Sequence, residues 1–504
     1  MHTLVLLSLA AACLSRPFDP ASSILPDEDP IPILFLPPSI AKSDPPIRPL
    51  FITGPTANQQ GSPSPTPTQT TLTVQATQTI HVVAATKIMT VTVTVQARPT
   101  STSAPEPVSD IPSSSSAEMK PFVATYFPDW TEFPPERVDF TRFTWIDFAF
   151  AVPDENRQLV FTSDNSEDLL NRLVRAAHAH ANRVKLSIGG WTGSRYFSDA
   201  VSSDVNRHEF VTNIVQMYQK FNLDGVDIDW EYPGVQGAGN NQVSAQDSTH
   251  FLTFLQLLRS QLPKSAKLTA ATQVTPFAGP DGRPLKDVSA FAKVLDWILI
   301  MNYDIWGASP TPGPNAPLRD GCRNSTQPDA SASASVAAWM AAGFPPSQIT
   351  LGLPSYGYVQ TSNARALIQR SPTAKLGELR VREDDEMRAA GAGLVRVKGE
   401  GEGDDSGQVQ FRQLVETGAL KLNPNGNYVG AGGFNRLWDV CSSTPYLVSQ
   451  NAKQVVAYDD PQSLGMKAAF ARGAGLRGVN MFDVHGDTEN WTLTDAIREG
   501  LGLA

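Results

Sequence analysis

After Ser15 the chain has no apolar run long enough to cross a bilayer, so nothing beyond that point reads as a membrane span. It is also short of basic charge. Across 504 residues, 40 Lys and Arg face 50 Asp and Glu, giving a formal net charge of -10 and a pI near 5.3. That balance argues against nucleic acid and anionic membranes as partners and is compatible with a neutral polymer. Cysteine is scarce, at three residues. Cys13 lies in the leading segment, which leaves Cys322 and Cys441. These two either pair in an oxidising compartment or stand as separate buried thiols. Hydrophobic residues make up 41% of the chain, enough for a sizeable core.

The segment Met1–Ser15 (MHTLVLLSLAAACLS) is short and apolar and is followed by Arg16-Pro17. It is too short for a bilayer and reads as a secretory signal peptide, although His2 is its only basic residue. A secreted, extracellular protein is expected. Residues 16–119 are rich in Pro, Ser and Thr, as in Gly61–Thr71 (GSPSPTPTQTT), and have the composition of a linker or stalk. Within them Thr79–Gln96 alternates apolar residues with Thr. That is a strand pattern, either a small surface-binding module or part of the linker. Asn324-Ser325-Thr326 is a glycosylation sequon in a polar, loop-like stretch, so a glycoprotein is expected. Asn490-Trp491-Thr492 is a second sequon, less favourable for its bulky middle residue.

From Lys120 the texture changes. Strand patterns fall at 121–126, 143–151, 183–188, 267–273, 295–302, 349–354 and 476–482. Helical periodicity falls between them, as in 167–181, 205–220, 244–262, 333–342, 460–472 and 494–501. With the carboxylate strand described next, this makes eight strands alternating with helices in about 385 residues, which predicts a (β/α)8 barrel over residues 120–504. More than a hundred residues separate strands seven and eight. A loop of that length carries structure of its own, so about 357–455 is expected to be an inserted α+β subdomain, with 398–407 (KGEGEGDDSG) as its tip.

The chemistry concentrates in Phe221–Gly234, FNLDGVDIDWEYPG. Asp227, Asp229 and Glu231 recur every second residue, with Val226, Ile228 and Trp230 between them. A period of two is a β-strand, with the acids on one face and the apolar residues packing under helices on the other. Several carboxyls on one inward face repel each other and lose hydration, so folding alone does not favour them. The same crowding keeps a proton on at least one of them near neutral pH. Glu231, the last of the three, is placed at the C-terminal end of a barrel strand, where barrel chemistry sits, and is the candidate proton donor. A calcium loop is a poor reading, because the intervening residues are apolar and the loop glycine is missing. A solvated edge strand is a poor reading too, because the same residues are too apolar for one.

DGVDIDWEYP resembles the D-G-x-D-x-D-x-E signature of glycoside hydrolase family 18, the chitinase family, at Asp224, Gly225, Asp227, Asp229 and Glu231. Two further stretches are similar to family motifs. KLSIGG (185–190) matches S-x-G-G at Ser187, Gly189 and Gly190, and MNYD (301–304) resembles M-x-Y-D. The resemblance implies a (β/α)8 barrel whose insertion walls a cleft. It also implies a retaining, substrate-assisted cleavage of β-1,4-linked N-acetylglucosamine polymers without metal or organic cofactor. Glu231 would be the general acid and base. Asp229 would hold the acetamido N–H, Asp227 would share a proton with Asp229, and Tyr303 would bind the acetamido carbonyl. Chitin or chitooligosaccharides are the implied partners, and a monomer is expected.

Aromatic rings at strand C-termini, namely Tyr126, Phe150, Trp191, Tyr232 and Trp306, are candidates for stacking on sugars. Gly190, Met301 and Asp304 complete the expected binding set. Trp130, Trp145 and Trp297 are assigned to the core or barrel shell. At one position the chain departs from the family. Phe482 stands where a tryptophan usually floors the site, with Asp487 matching a later acid, and this alters the stacking area available to a sugar. Two other readings share the residue pattern: an endo-β-N-acetylglucosaminidase acting on glycoprotein glycans, and a chitin-binding lectin on the same barrel. Such lectins typically lose the glutamate, and Glu231 is present.

Overall fold

The protein is described by a computed structural model covering residues 120–307, 309, 311–367, 395–401 and 405–503. The leading segment, the Thr79–Gln96 pattern and part of the predicted tip lie outside the described residues.

Eight parallel strands form the barrel: β1 (Phe122–Pro128), β2 (Trp145–Pro153), β3 (Arg183–Gly189), β4 (Gly225–Asp229), β5 (Lys267–Thr272), β6 (Trp297–Ile300), β7 (Ile349–Pro354) and β8 (Gly478–Phe482). Each pairs with the next, β8 pairs with β1, and the sheet closes. This is the predicted (β/α)8 architecture. Phe161 and its neighbours (Leu159–Phe161) add a short antiparallel strand to β2.

The strands bury both faces. The outward residues of β4 and its continuation, Val226, Ile228 and Trp230, are 1, 0 and 2% exposed. The Trp230 ring stacks on Phe197, with centroids 5.3 Å apart, and meets Phe251 edge-on at 5.4 Å. These phenylalanines come from the helices Phe197–Ser202 and Asp247–Gln261. Loss of such a ring from a packed core costs about 3–5 kcal/mol. The helix Asp204–Lys220 starts where the Ser203 side chain accepts from the Asn206 N–H, and it turns Phe210, Val211 and Ile214 inward. Asp224, just before β4, accepts from the Val184 N–H and pairs with the His178 ring, tying β3 and the helix Ser166–Ala179 to the start of the strand.

An antiparallel sheet sits between β7 and β8 in the chain. Its strands run in the order 407–410, 356–361, 454–457, 444–449 and 435–439. The helix Phe411–Glu416 accompanies it, so the insertion is α+β. Cys322 and Cys441 form a disulfide across 119 residues, joining the stretch after β6 to this subdomain. The two sequons differ in access. Both polar side-chain atoms of Asn324 are buried, whereas Asn490 is exposed. That reverses the order of preference taken from their middle residues. No helix among the described residues is long and apolar enough to cross a membrane.

Candidate active site

At the C-terminal end of the barrel lies a cleft of about 1130 Å³, walled on one side by the insertion. Asp229, Glu231, Tyr303 and Phe482 line it, together with Phe150, Gly190, Trp191, Tyr232, Met301 and Asp304. Six carboxyl groups face it, from Glu132, Asp229, Glu231, Asp304, Glu400 and Asp483, and no lysine or arginine does among the described residues.

The carboxylate row is set by strand register. Ser187, Asp227 and Thr269 are direct neighbours across β3, β4 and β5. Asp227 is 1% exposed and fully engaged. Its Oδ2 accepts from the Tyr126 hydroxyl at 3.1 Å and from Ser187 Oγ at 2.8 Å, and Thr269 Oγ1 donates to its Oδ1. No hydrogen bond joins it to Asp229. Asp229 is 3% exposed, and its Oδ1 has no partner. Burial, then the charges of Glu231, Asp227 and Asp147, push its carboxyl well above the usual range.

Glu231 lies two residues past the end of β4, held by its backbone. Its N–H donates to Ser194 Oγ at 2.8 Å and its carbonyl accepts from Asn241 at 3.1 Å. Burial pushes its carboxyl up to about 7; the Tyr232 hydroxyl opposes that rise and the charge of Asp304 adds to it. Gly189 and Gly190 make this approach possible. A Cβ on Gly189 would stand 2.1 Å from the Asp229 carbonyl oxygen, to which the Gly190 N–H donates at 2.8 Å. Non-proline cis peptides occur at Ala149–Phe150, within β2 where its register with β3 shifts, at Glu231–Tyr232, just beyond β4, and at Phe482–Asp483, at the end of β8.

Asp304 accepts from the hydroxyls of Tyr356 and Tyr358, each at 2.7 Å, and burial raises its pKa against those two donors. Phe482 floors the cleft, with ring centroids 5.2 Å from Tyr126 and 6.0 Å from Tyr303.

Three aromatic assignments change. Tyr126 does not reach the cleft. β1 continues two residues further, to Pro128, which leaves Tyr126 beneath the floor at 1% exposure and bonded to Asp227. Trp306 is also absent from the cleft. Asp304 turns the chain at φ +60°, Ile305 pairs with Asn315, and the Trp306 ring packs where a Cβ on Gly313 would touch it at 2.2 Å. Ile305 takes the cleft position instead. Trp130, assigned to the core, is 55% exposed in the cleft and stacks on Phe150 with centroids 5.8 Å apart. Together with Trp191, 54% exposed, it gives the cleft an aromatic end. Trp145 and Trp297 are buried.

Sequence reasoning also missed Tyr356, Tyr358, Glu400, Asp483 and His485 as cleft residues. The Tyr356-Gly357-Tyr358 run directly after β7 was the available signal; Glu400 arrives from the insertion and carried none.

Buried carboxyls delivered by the fourth strand to an open cleft stand at the end of a (β/α)8 barrel where such barrels carry their reactive groups. The profile of Glycosyl hydrolases family 18 matches residues 123–487, and the chain belongs to that family. Its relatives include a chitinase-like effector of Moniliophthora roreri, 36% identical over 75% of this chain and 92% of that protein. Chitinase A1 of Niallia circulans is 28% identical over 66% of this chain and 44% of its own length. Among solved structures, a chitinase from Rhizomucor miehei is 28% identical and superimposes with a TM-score of 0.63, covering 75% of this chain and 99% of that one.

Proposed function

We propose that the protein is a secreted chitinase that cuts β-1,4-linked N-acetylglucosamine polymers internally, with retention. The observation that carries this is Glu231. It is a carboxyl pushed up to about 7 at the cleft end of β4, beside an Asp229 oxygen that has no partner within the protein. Glu231 protonates the glycosidic oxygen as the C–O bond breaks. The substrate's acetamido oxygen attacks the anomeric carbon and closes an oxazolinium ring, while Asp229 receives the acetamido N–H. Tyr303 donates to the acetamido oxygen. Glu231, now ionised, takes a proton from water as the water opens the ring, which restores the starting state. Six cleft carboxyls, with no lysine or arginine beside them among the described residues, favour a neutral glycan over an anionic one. Trp130 and Trp191 supply stacking surface for further sugar units. Residues 1–15 are removed on secretion, 16–119 act as a stalk, and the protein is a monomer.

A second reading, oligosaccharide binding without turnover, draws on Phe482 in place of the larger ring and on the Moniliophthora roreri relative being a chitinase-like effector. Defined N-acetylglucosamine oligomers, resolved by mass and anomer with wild type beside Glu231→Gln, separate the two. Internal cuts giving the β-anomer, lost in the variant, support the chitinase. Unchanged hydrolysis by Glu231→Gln overturns it, and tight binding without products selects the second reading.

A further inference from the structure

The barrel interior holds a cation that this chemistry leaves unused. Lys185 on β3 is 1% exposed. Its Nζ donates to Thr269 Oγ1 at 2.7 Å and lies 3.2 Å from Asp147 Oδ1 and 3.8 Å from Asp227 Oδ1. The ammonium faces the Trp297 ring, 4.8 Å from its centroid. A Cβ on Gly225 would stand 3.0 Å from Lys185 Cγ, so the neighbouring strand leaves room for the lysine stem. Below the carboxylate row, the Asn480 amide donates to Asp147 Oδ2 at 2.7 Å. A buried ammonium is costly unless paired, and an apolar residue would fill a barrel core with less penalty. Stability alone does not select Lys185.

Its partners point upward to the reaction. Thr269 Oγ1 accepts from Lys185 and donates to Asp227, so one hydroxyl links the cation to the carboxyl beneath Asp229. With Tyr126 and Ser187 also donating, Asp227 acts purely as an acceptor, the pattern of an ionised carboxylate. We propose that Lys185 is a positioning residue that, through Thr269, holds Asp227 as the counter-anion of the barrel core and so leaves the proton of the pair on Asp229, whose free oxygen meets the substrate. The catalytic consequence rests on the functional reading above; the placement of the proton does not. The titratable groups facing Asp227 are Tyr126 from β1, Asp147 from β2, Lys185 from β3, Asp229 on its own strand and Tyr303 beyond β6, with Glu231 past the strand end beside Asp229. Lys185 is the one cation among them.

The test uses the full chain, labelled with ¹³C at aspartate carboxyls, as wild type and Lys185→Met, titrated by NMR from about pH 4 to 9. The Asp227 resonance is assigned by its loss in Asp227→Asn. Removing a charge 3.8 Å away is expected to move that titration up by about one pH unit or more. On N-acetylglucosamine oligomers the variant's kcat falls about tenfold or more, its KM stays within about threefold, and the acid limb of its pH profile rises in step. The double variant Lys185→Met with Asp147→Asn removes the other carboxyl that Lys185 neutralises. If Lys185 serves only to balance Asp147, the double variant regains wild-type kcat and wild-type Asp227 titration, and the proposal is overturned. It is equally overturned by an unshifted Asp227 titration in Lys185→Met. A single variant that does not fold leaves the double to decide by the same readouts. A wild type that hydrolyses no oligomer defeats the functional reading, while the NMR titration still decides the role of Lys185.

Discussion

Replacing Glu231 by Gln should stabilise the protein in alkali and abolish its chemistry, and the two effects have one cause. Burial raises the carboxyl from an ordinary 4.5 to about 7. The native state therefore binds this proton more tightly than the unfolded chain. The resulting stability is fully present below about pH 4.5 and is lost as pH rises through about 7. A gap of about 2.5 units corresponds to about 3 kcal/mol at pH 9. Gln cannot ionise, so the variant escapes that loss. It also removes one of the charges that raise Asp229, which adds in the same direction. For a barrel of this size the gain is about 3–6 °C in Tm at pH 9 and close to zero at pH 4. Calorimetry of the full chain at both pH values measures it, with hydrolysis assayed in parallel and expected to drop by about 10³-fold or more. A Tm difference that is the same at both pH values would refute the account of a buried, proton-holding Glu231.

Tyr303→Phe should lower kcat about tenfold to a hundredfold with Tm nearly unchanged, because the ring keeps its packing while the cleft loses one hydroxyl; equal kinetics would remove it from the reaction. Trp130→Ala deletes an exposed ring stacked on Phe150, so KM for long oligomers should rise about threefold to tenfold while the shortest substrates change little. Cys322→Ser opens a 119-residue loop and should cost about 3–5 kcal/mol, read as a lower midpoint in denaturant with kcat at low temperature preserved. Mass spectrometry of protein expressed through a eukaryotic secretory pathway should find glycan on exposed Asn490 and none on Asn324, the opposite ratio contradicting the burial of the Asn324 amide.

Local pattern was enough for the barrel and for the carboxylate row. Period-two alternation in 226–231 places the acids and the apolar residues on opposite faces wherever the strand lies, and the helical stripes between strands leave few ways to bury both. The insertion was legible from its length, because so long a segment must fold on itself. The glycines of 189–190 marked a close approach without saying to what; the Asp229 carbonyl is the answer, and it comes from the neighbouring strand.

What tertiary structure decided is everything that depends on where a strand stops and what crosses the barrel. A two-residue extension of β1 moved Tyr126 from the cleft wall to the layer below and brought Trp130 into the cleft. The turn at Asp304 sent Trp306 outward and Ile305 inward. The Lys185–Thr269–Asp227 chain joins residues 84 and 42 apart in sequence, from strands whose order is known only once the sheet closes. Side-chain period is a local property of the backbone and can be read from a few residues; strand ends, register and charge neighbours are set by pairing across the closed sheet, so they exist only in the folded barrel.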